Sequence, residues 1–253
     1  MIELIPAIDI IDGRCVRLTK GDYSTKKEYG DPLEMASAVK KAGLKRLHVV
    51  DLDGAKSKHI VNNDALRKIS ALGLEVDFGG GIKSQTDIDK AFEAGASMVT
   101  IGSVAVTDKQ LFLSWLEKYG AERIILGADV KDGKICVGGW KVEAEELLMS
   151  FLEYYVALGV KKVLCTDISK DGMLGGVCLD MYSDIMRRFP HLHLIASGGV
   201  SSIDDIRQLD ERGIPAVVIG KAIYEGKITL EQLSAYKGEH GESTCYTNDN
   251  RKL

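Results

Sequence analysis

The chain has 253 residues, 45% of them apolar and 28% charged, a balance that excludes a disordered protein and supplies a sizeable core. Lysine and arginine number 33 against 37 aspartate and glutamate, a net charge of −4 with the signs interspersed, which speaks against a nucleic-acid surface or a polybasic membrane anchor. The apolar stretches fall short of the roughly 18 residues of a membrane span, and Met1-Ile2-Glu3-Leu4 lacks the basic start of an export signal.

Taken in chain order, short apolar runs alternate with amphipathic stretches. Strands are expected near residues 3–9, 46–52, 74–78, 97–101, 123–129, 161–166, 192–196 and 215–219, each followed by a helical segment. The runs are continuous rather than alternating, as in parallel strands covered on both faces. Leu148-Phe151-Leu152-Tyr155 and Tyr182-Ile185-Met186-Phe189 repeat at the spacing of one helical face. Eight βα units in one domain over 1–236 predict an α/β fold, a closed (β/α)8 TIM barrel, while 237–253 has no apolar period and is read as a disordered polar tail. Two connections, 14–31 and 131–141, exceed the roughly 2–6 residues usual for a βα loop and are read as lids.

Segments of the first half recur in the second. Asp9-Ile-Ile-Asp12-Gly13 aligns with Asp129-Val-Lys-Asp132-Gly133, Gly80-Gly81-Ile82 with Gly198-Gly199-Val200, Ile101-Gly102-Ser103 with Ile219-Gly220-Lys221, and Asp53-Gly54 with Asp171-Gly172. The barrel therefore reads as two (β/α)4 halves. Thr166 stands 118 positions after His48 and is read as its counterpart.

A barrel places its chemistry at the carboxyl ends of the strands. Asp9 and Asp129 close the first and fifth strands, on opposite sides of the ring, where one carboxylate can take a proton while the other gives one. Gly80 and Gly81 with Gly102 and Ser103, and Gly198 and Gly199 with Gly220 and Lys221, form two equivalent devices in which bare backbone can approach a phosphate. Arg17, Thr166, Trp140, Asp171 and Gly172 also fall at strand ends or in the connections above them, while His48 sits inside the second strand, where core packing is an equal alternative to a site role. Trp140 can stack on a planar heterocycle; Trp115 reads as core. His191 and His193 precede the seventh strand at the far end, and no His-x-x-x-His pair offers a metal site. Five widely spaced cysteines without a C-x-x-C pair point to a reducing cytoplasm.

Pro6-Ala7-Ile8-Asp9-Ile10-Ile11-Asp12-Gly13, Arg17-Leu18-x-x-Gly21-Asp22-Tyr23, Leu47-His48-Val49-Val50-Asp51-Leu52-Asp53-Gly54-Ala55, Gly79-Gly80-Gly81-Ile82, Gly139-Trp140 and Thr166-Asp167-Ile168-Ser169-x-Asp171-Gly172-Met173 together resemble the phosphoribosylformimino-aminoimidazole-carboxamide ribotide (ProFAR) isomerase family of histidine biosynthesis. The resemblance runs from about Ile2 to Tyr236. It implies an Amadori rearrangement of an N-linked aldose bisphosphate to a 1-amino-1-deoxyketose, without a cofactor. It further implies Asp9 as proton acceptor, Asp129 as proton donor, Thr166 as a third catalytic residue that holds the substrate, and Trp140 as a group that stacks on it; Arg17, His48 and Asp171 join the substrate contacts, and Gly172 joins the phosphate contacts. Lys83 and Lys221 stand where arginine is frequent in that family. The expected partner is the small-molecule bisphosphate alone, with no obligatory protein partner, in a cytoplasmic monomer.

Three other readings stay open. They are a dual-substrate isomerase that also acts on phosphoribosylanthranilate, the sister cyclase subunit of imidazole glycerol phosphate synthase, and a non-catalytic phospholigand-binding barrel. Asp51 to Ala55 and Gly139-Trp140 favour the isomerase over the cyclase, and the intact aspartate pair argues against a mere binder.

Overall fold

The chain enters through β1 (Glu3–Ile11), which folds back into β2 (Arg14–Thr19) and β3 (Asp22–Gly30) before α1 (Pro32–Lys41). The first half continues with β4 (Arg46–Asp51), α2 (Leu52–Ser57), α3 (Asn63–Ser70), β5 (Glu75–Gly79), α4 (Gln85–Glu93), β6 (Met98–Ile101), α5 (Ser103–Thr107) and α6 (Lys109–Tyr119). The second runs through β7 (Ile124–Lys131), β8 (Lys134–Val137), β9 (Val142–Leu147), α7 (Leu148–Ala157), β10 (Lys162–Asp167), α8 (Leu179–Arg188), β11 (His193–Ser197), α9 (Ile203–Glu211), β12 (Ala216–Ile219), α10 (Lys221–Tyr224) and α11 (Leu230–Gly241). This computed structural model describes residues 1–140 and 142–241.

The parallel strands pair in the order β1-β4-β5-β6-β7-β10-β11-β12, and β12 returns to β1 with Ile5 beside Val218, so the ring is closed. Alternation along each strand divides the core in two. Ile5, Ala7, Met98, Ile125, Leu164, Ile195, Ala216 and Val218 fill the ring's interior, while the intervening residues pack under the helices. The two periodic stretches bury the expected faces: Leu148, Phe151, Leu152 and Tyr155 on α7, Tyr182 and Ile185 on α8. Each such side chain contributes about 1.5–3 kcal/mol on leaving water. Trp115 is fully buried, its Nε1 donating to Gln85 Oε1 at 3.1 Å. Ser84 and Ser202 cap α4 and α9, each three residues after the second glycine of its pair, so each glycine turn is anchored by the helix that follows it.

The two long connections are not loops but antiparallel additions to the barrel strands, β2 and β3 on β1, β8 and β9 on β7. Asp12-Gly13 and Asp132-Gly133 both have positive φ at each residue, 53° and 70° in the first and 51° and 78° in the second, the conformation of a two-residue hairpin turn. Val16 and Leu18 then bury against Ile11, which gives the first hairpin a small core of its own.

The expected tail begins too early. α11 carries on through 237–241, because Leu233 and Tyr236 bury against the barrel and anchor the helix. Residues 242–253, with Cys245, lie outside the described residues. Cys15, Cys136, Cys165 and Cys178 are free thiols. Among the described residues no helix is long and apolar enough to cross a membrane.

Candidate active site

A cavity of about 880 Å³ opens at the carboxyl ends of the barrel strands. Asp9, Arg17, His48, Asp129, Trp140, Thr166 and Asp171 all line it. So do Gly80, Gly81, Gly102 and Ser103 on one side, and Gly172, Gly198, Gly199, Gly220 and Lys221 on the other.

Asp9 and Asp129 stand on β1 and β7, half-way round the ring from each other. Their surroundings differ. Asp9 Oδ2 accepts from Arg17 Nη1 at 2.7 Å, and the other terminal nitrogen of Arg17 donates to the Ala7 carbonyl. The guanidinium also lies 4.8 Å from the centre of the Tyr224 ring and against Gly220, where a β carbon would come within 2.8 Å of it. Arg17 is therefore held on several sides, and Asp9 with it. Among the described residues no lysine or arginine is paired with Asp129. Burial pushes its carboxyl up, while hydrogen bonds from Trp140 and Thr166 pull the other way. Thr166 can reach it because β10 pairs with β7 in a register that sets Thr166 beside Asp129.

Asp171 is pushed up to about 6, by burial first and by the nearby charge of Asp9, with Arg17 opposing. Its repeat partner Asp53 serves the fold instead. The Oδ2 of Asp53 accepts from the Asp12 N–H at 2.7 Å and from Asn62 Nδ2 at 2.9 Å, holding the first hairpin turn.

The pairing of His48 with Thr166 does not survive in the sheet. β4 pairs with β5 through His48 and Asp77, β10 with β11 through Leu164 and Ile195. Leu164 is thus the structural equivalent of His48, and Thr166 that of Val50. The constant spacing misleads because the connection after β10 is two residues longer than that after β4 before Asp171-Gly172 rejoins Asp53-Gly54.

The glycine turns meet their neighbours closely. A β carbon on Gly80 would stand 2.2 Å from the Asp51 carbonyl oxygen, and one on Gly199 2.2 Å from that of Gly176. Both residues have positive φ, 92° and 91°. Asp51 itself is fully buried, its carboxylate accepting from the backbone of Gly54, Val61 and Asn62, so the first cradle is packed on a fixed post. Lys221 Nζ donates to the Gly172 carbonyl at 2.8 Å and to Thr19 Oγ1 at 3.2 Å, tying the second cradle to the first hairpin. On the opposite side burial, and then the charge of Lys58, lower the Lys83 amine.

Sequence reasoning missed Lys58, Tyr224, Arg46 and Asp77. The last two had a visible signal, charges placed inside otherwise apolar strands, Arg46-Leu-His-Val-Val and Val76-Asp77-Phe78.

The histidine biosynthesis protein family model matches residues 3–229. A protein of Bacteroides thetaiotaomicron is 58% identical over 238 residues, covering 93% of this chain and 100% of that protein. Others from Flavobacterium johnsoniae and Cytophaga hutchinsonii are 52% and 48% identical, each covering 93% of this chain and 99% of the relative. All three are named 1-(5-phosphoribosyl)-5-((5-phosphoribosylamino)methylideneamino)imidazole-4-carboxamide isomerase.

Proposed function

This chain belongs to the histidine biosynthesis protein family, and we infer that it is the isomerase for which its relatives are named, working by general acid and base catalysis between Asp129 and Asp9. The relatives' name specifies a molecule with two phosphoribosyl groups. Two glycine cradles on opposite sides of one cavity suit its two phosphates, and anchoring both ends removes the freedom of the sugar between them before reaction. Asp129 gives its proton to the ribose ring oxygen as the C1–O bond breaks and the attached nitrogen supplies its lone pair to C1. Asp9 then takes the proton from C2. The resulting enolamine gains a proton at C1 and loses one from the C2 hydroxyl, which becomes the ketose carbonyl. Thr166 and Trp140 hold Asp129, and Arg17 holds Asp9.

The contrast between the two aspartates carries this reading: the carboxyl that desolvation pushes up is the donor, the one bonded to a fixed guanidinium the acceptor. The free thiols suit a reducing cytoplasm. The test is an absorbance assay with the aminoaldose bisphosphate and, separately, phosphoribosylanthranilate. Turnover of the first is expected, and its absence would refute the assignment.

A further inference from the structure

A polar column crosses the first half of the barrel interior. Asp77 is fully buried, Arg46 is 3% exposed and His48 is 7% exposed. Arg46 Nε donates to Asp77 Oδ2 at 3.1 Å, and Arg46 Nη1 reaches Glu3 Oε2 at 3.0 Å near the end remote from the cavity. The other Asp77 oxygen, Oδ1, faces His48 Nδ1 across the strand pair, and Thr100 Oγ1 donates to it at 3.3 Å. Burial alone would raise the Asp77 carboxyl, yet the hydrogen bonds it accepts from His48 and Arg46, together with the Arg46 charge, bring it below the usual carboxylate range, so it is an anion that needs donors.

The second half shows what this column replaces. At the positions equivalent to His48, Asp77 and Thr100 it carries Leu164, Ile195 and Val218, which close the same interior with apolar side chains. A buried charge is expensive, and the fold manages without one on the other side. The polar trio occurs where a histidine lines the cavity.

We propose that Asp77 is a positioning residue: fixed by Arg46, it accepts a hydrogen bond from His48 Nδ1–H, so that Nε2 presents a lone pair to a sugar hydroxyl of the phosphoribosyl substrate. Asp77 does not touch the substrate. It chooses the tautomer of the ring that does, as a carboxylate beside an imidazole generally can. The proposal rests on the phosphoribosyl reading of the cavity but has a readout that does not depend on turnover.

That readout is 15N NMR of histidine-labelled protein, with the His48 signals identified by their loss in His48→Gln. A neutral ring with protonated Nδ1 and bare Nε2 is expected. In Asp77→Asn, Arg46 still donates to the carboxamide oxygen, so the amide nitrogen must face His48; the ring has to accept at Nδ1, and the pattern inverts. The kcat/KM should fall roughly tenfold, as for a lost hydrogen bond to a buried partner, and the same change in a His48→Gln background should cost nothing more. Should Asp77→Asn fail to fold, Arg46→Met with Asp77→Leu removes both charges in the manner of the second half, and His48 should then lose its tautomer preference. A wild-type ring protonated at Nε2, a pattern unmoved by these variants, or an equal loss with and without His48 overturns the proposal. If the tautomer behaves as expected while the aminoaldose is not turned over, the substrate reading fails and the positioning role stands.

Discussion

The indole of Trp140 rests on Gly21: a β carbon there would stand 2.7 Å from Trp140 Cε3. One residue is in the turn between β2 and β3, the other in the turn between β8 and β9, so the two hairpins meet over the mouth. Gly21→Ala therefore pushes the indole away and also strains a backbone with φ of 69°. Trp140 should then hold Asp129 and the substrate less well, with kcat/KM lowered about tenfold, the scale of one aromatic contact. Because Trp115 is sealed in the core, a change in intrinsic fluorescence on substrate binding reports Trp140. A variant whose fluorescence response and kcat/KM match wild type would show that this contact has no part in binding.

Asp9→Asn and Asp129→Asn should each lower kcat by roughly 10²–10⁴, the worth of a placed acid or base, and leave the circular dichroism spectrum unchanged. Near wild-type turnover by either purified variant would remove that residue from the mechanism.

Asp171 predicts a pH-dependent gain in stability on mutation. Its folded value of about 6 lies above the ordinary aspartate value of 3.8, so the favourable contribution is fully present only where the group is protonated in both states and is lost as pH rises through about 6. At neutral pH the native state carries an ill-placed anion. Asp171→Asn should raise Tm by a few degrees near pH 8, with the gain shrinking through about pH 6 and vanishing near pH 4. Scanning calorimetry across that range checks it, and a gain independent of pH would mean the effect is not electrostatic.

The paired cradles predict two anions in crystals grown in phosphate or sulfate, one near Gly81 and Ser103, the other near Gly199 and Gly220. Gly80→Ala should weaken the first selectively, since its β carbon meets the Asp51 carbonyl rather than anything in the second half. A single anion in the wild-type cavity would show that one copy has lost the function.

The barrel was legible because parallel strands covered on both faces are apolar throughout, and eight such runs leave little choice of closure. The site was legible where the repeat marked both copies, as with Asp9 and Asp129. It failed where the copies diverge: Asp77 has an isoleucine opposite, Ile195, and only strand register reveals that His48 faces an anion. The hairpins were missed although Asp12-Gly13 and Asp132-Gly133 are strong turn signals, because β3 and β9 are too polar to announce themselves as strands.

That polarity has its own consequence. A closed ring leaves no strand with free hydrogen-bonding groups, but each hairpin ends in one that does, since β3 pairs with β2 alone and β9 with β8 alone among the described residues. Unpaired edges invite a second chain to add on and begin an aggregate. β3 carries Lys26, Lys27 and Glu28, and β9 carries Glu143, Glu145 and Glu146. Two copies meeting along β9 would set acid against acid, so the segments that build the mouth also keep one molecule from templating the next.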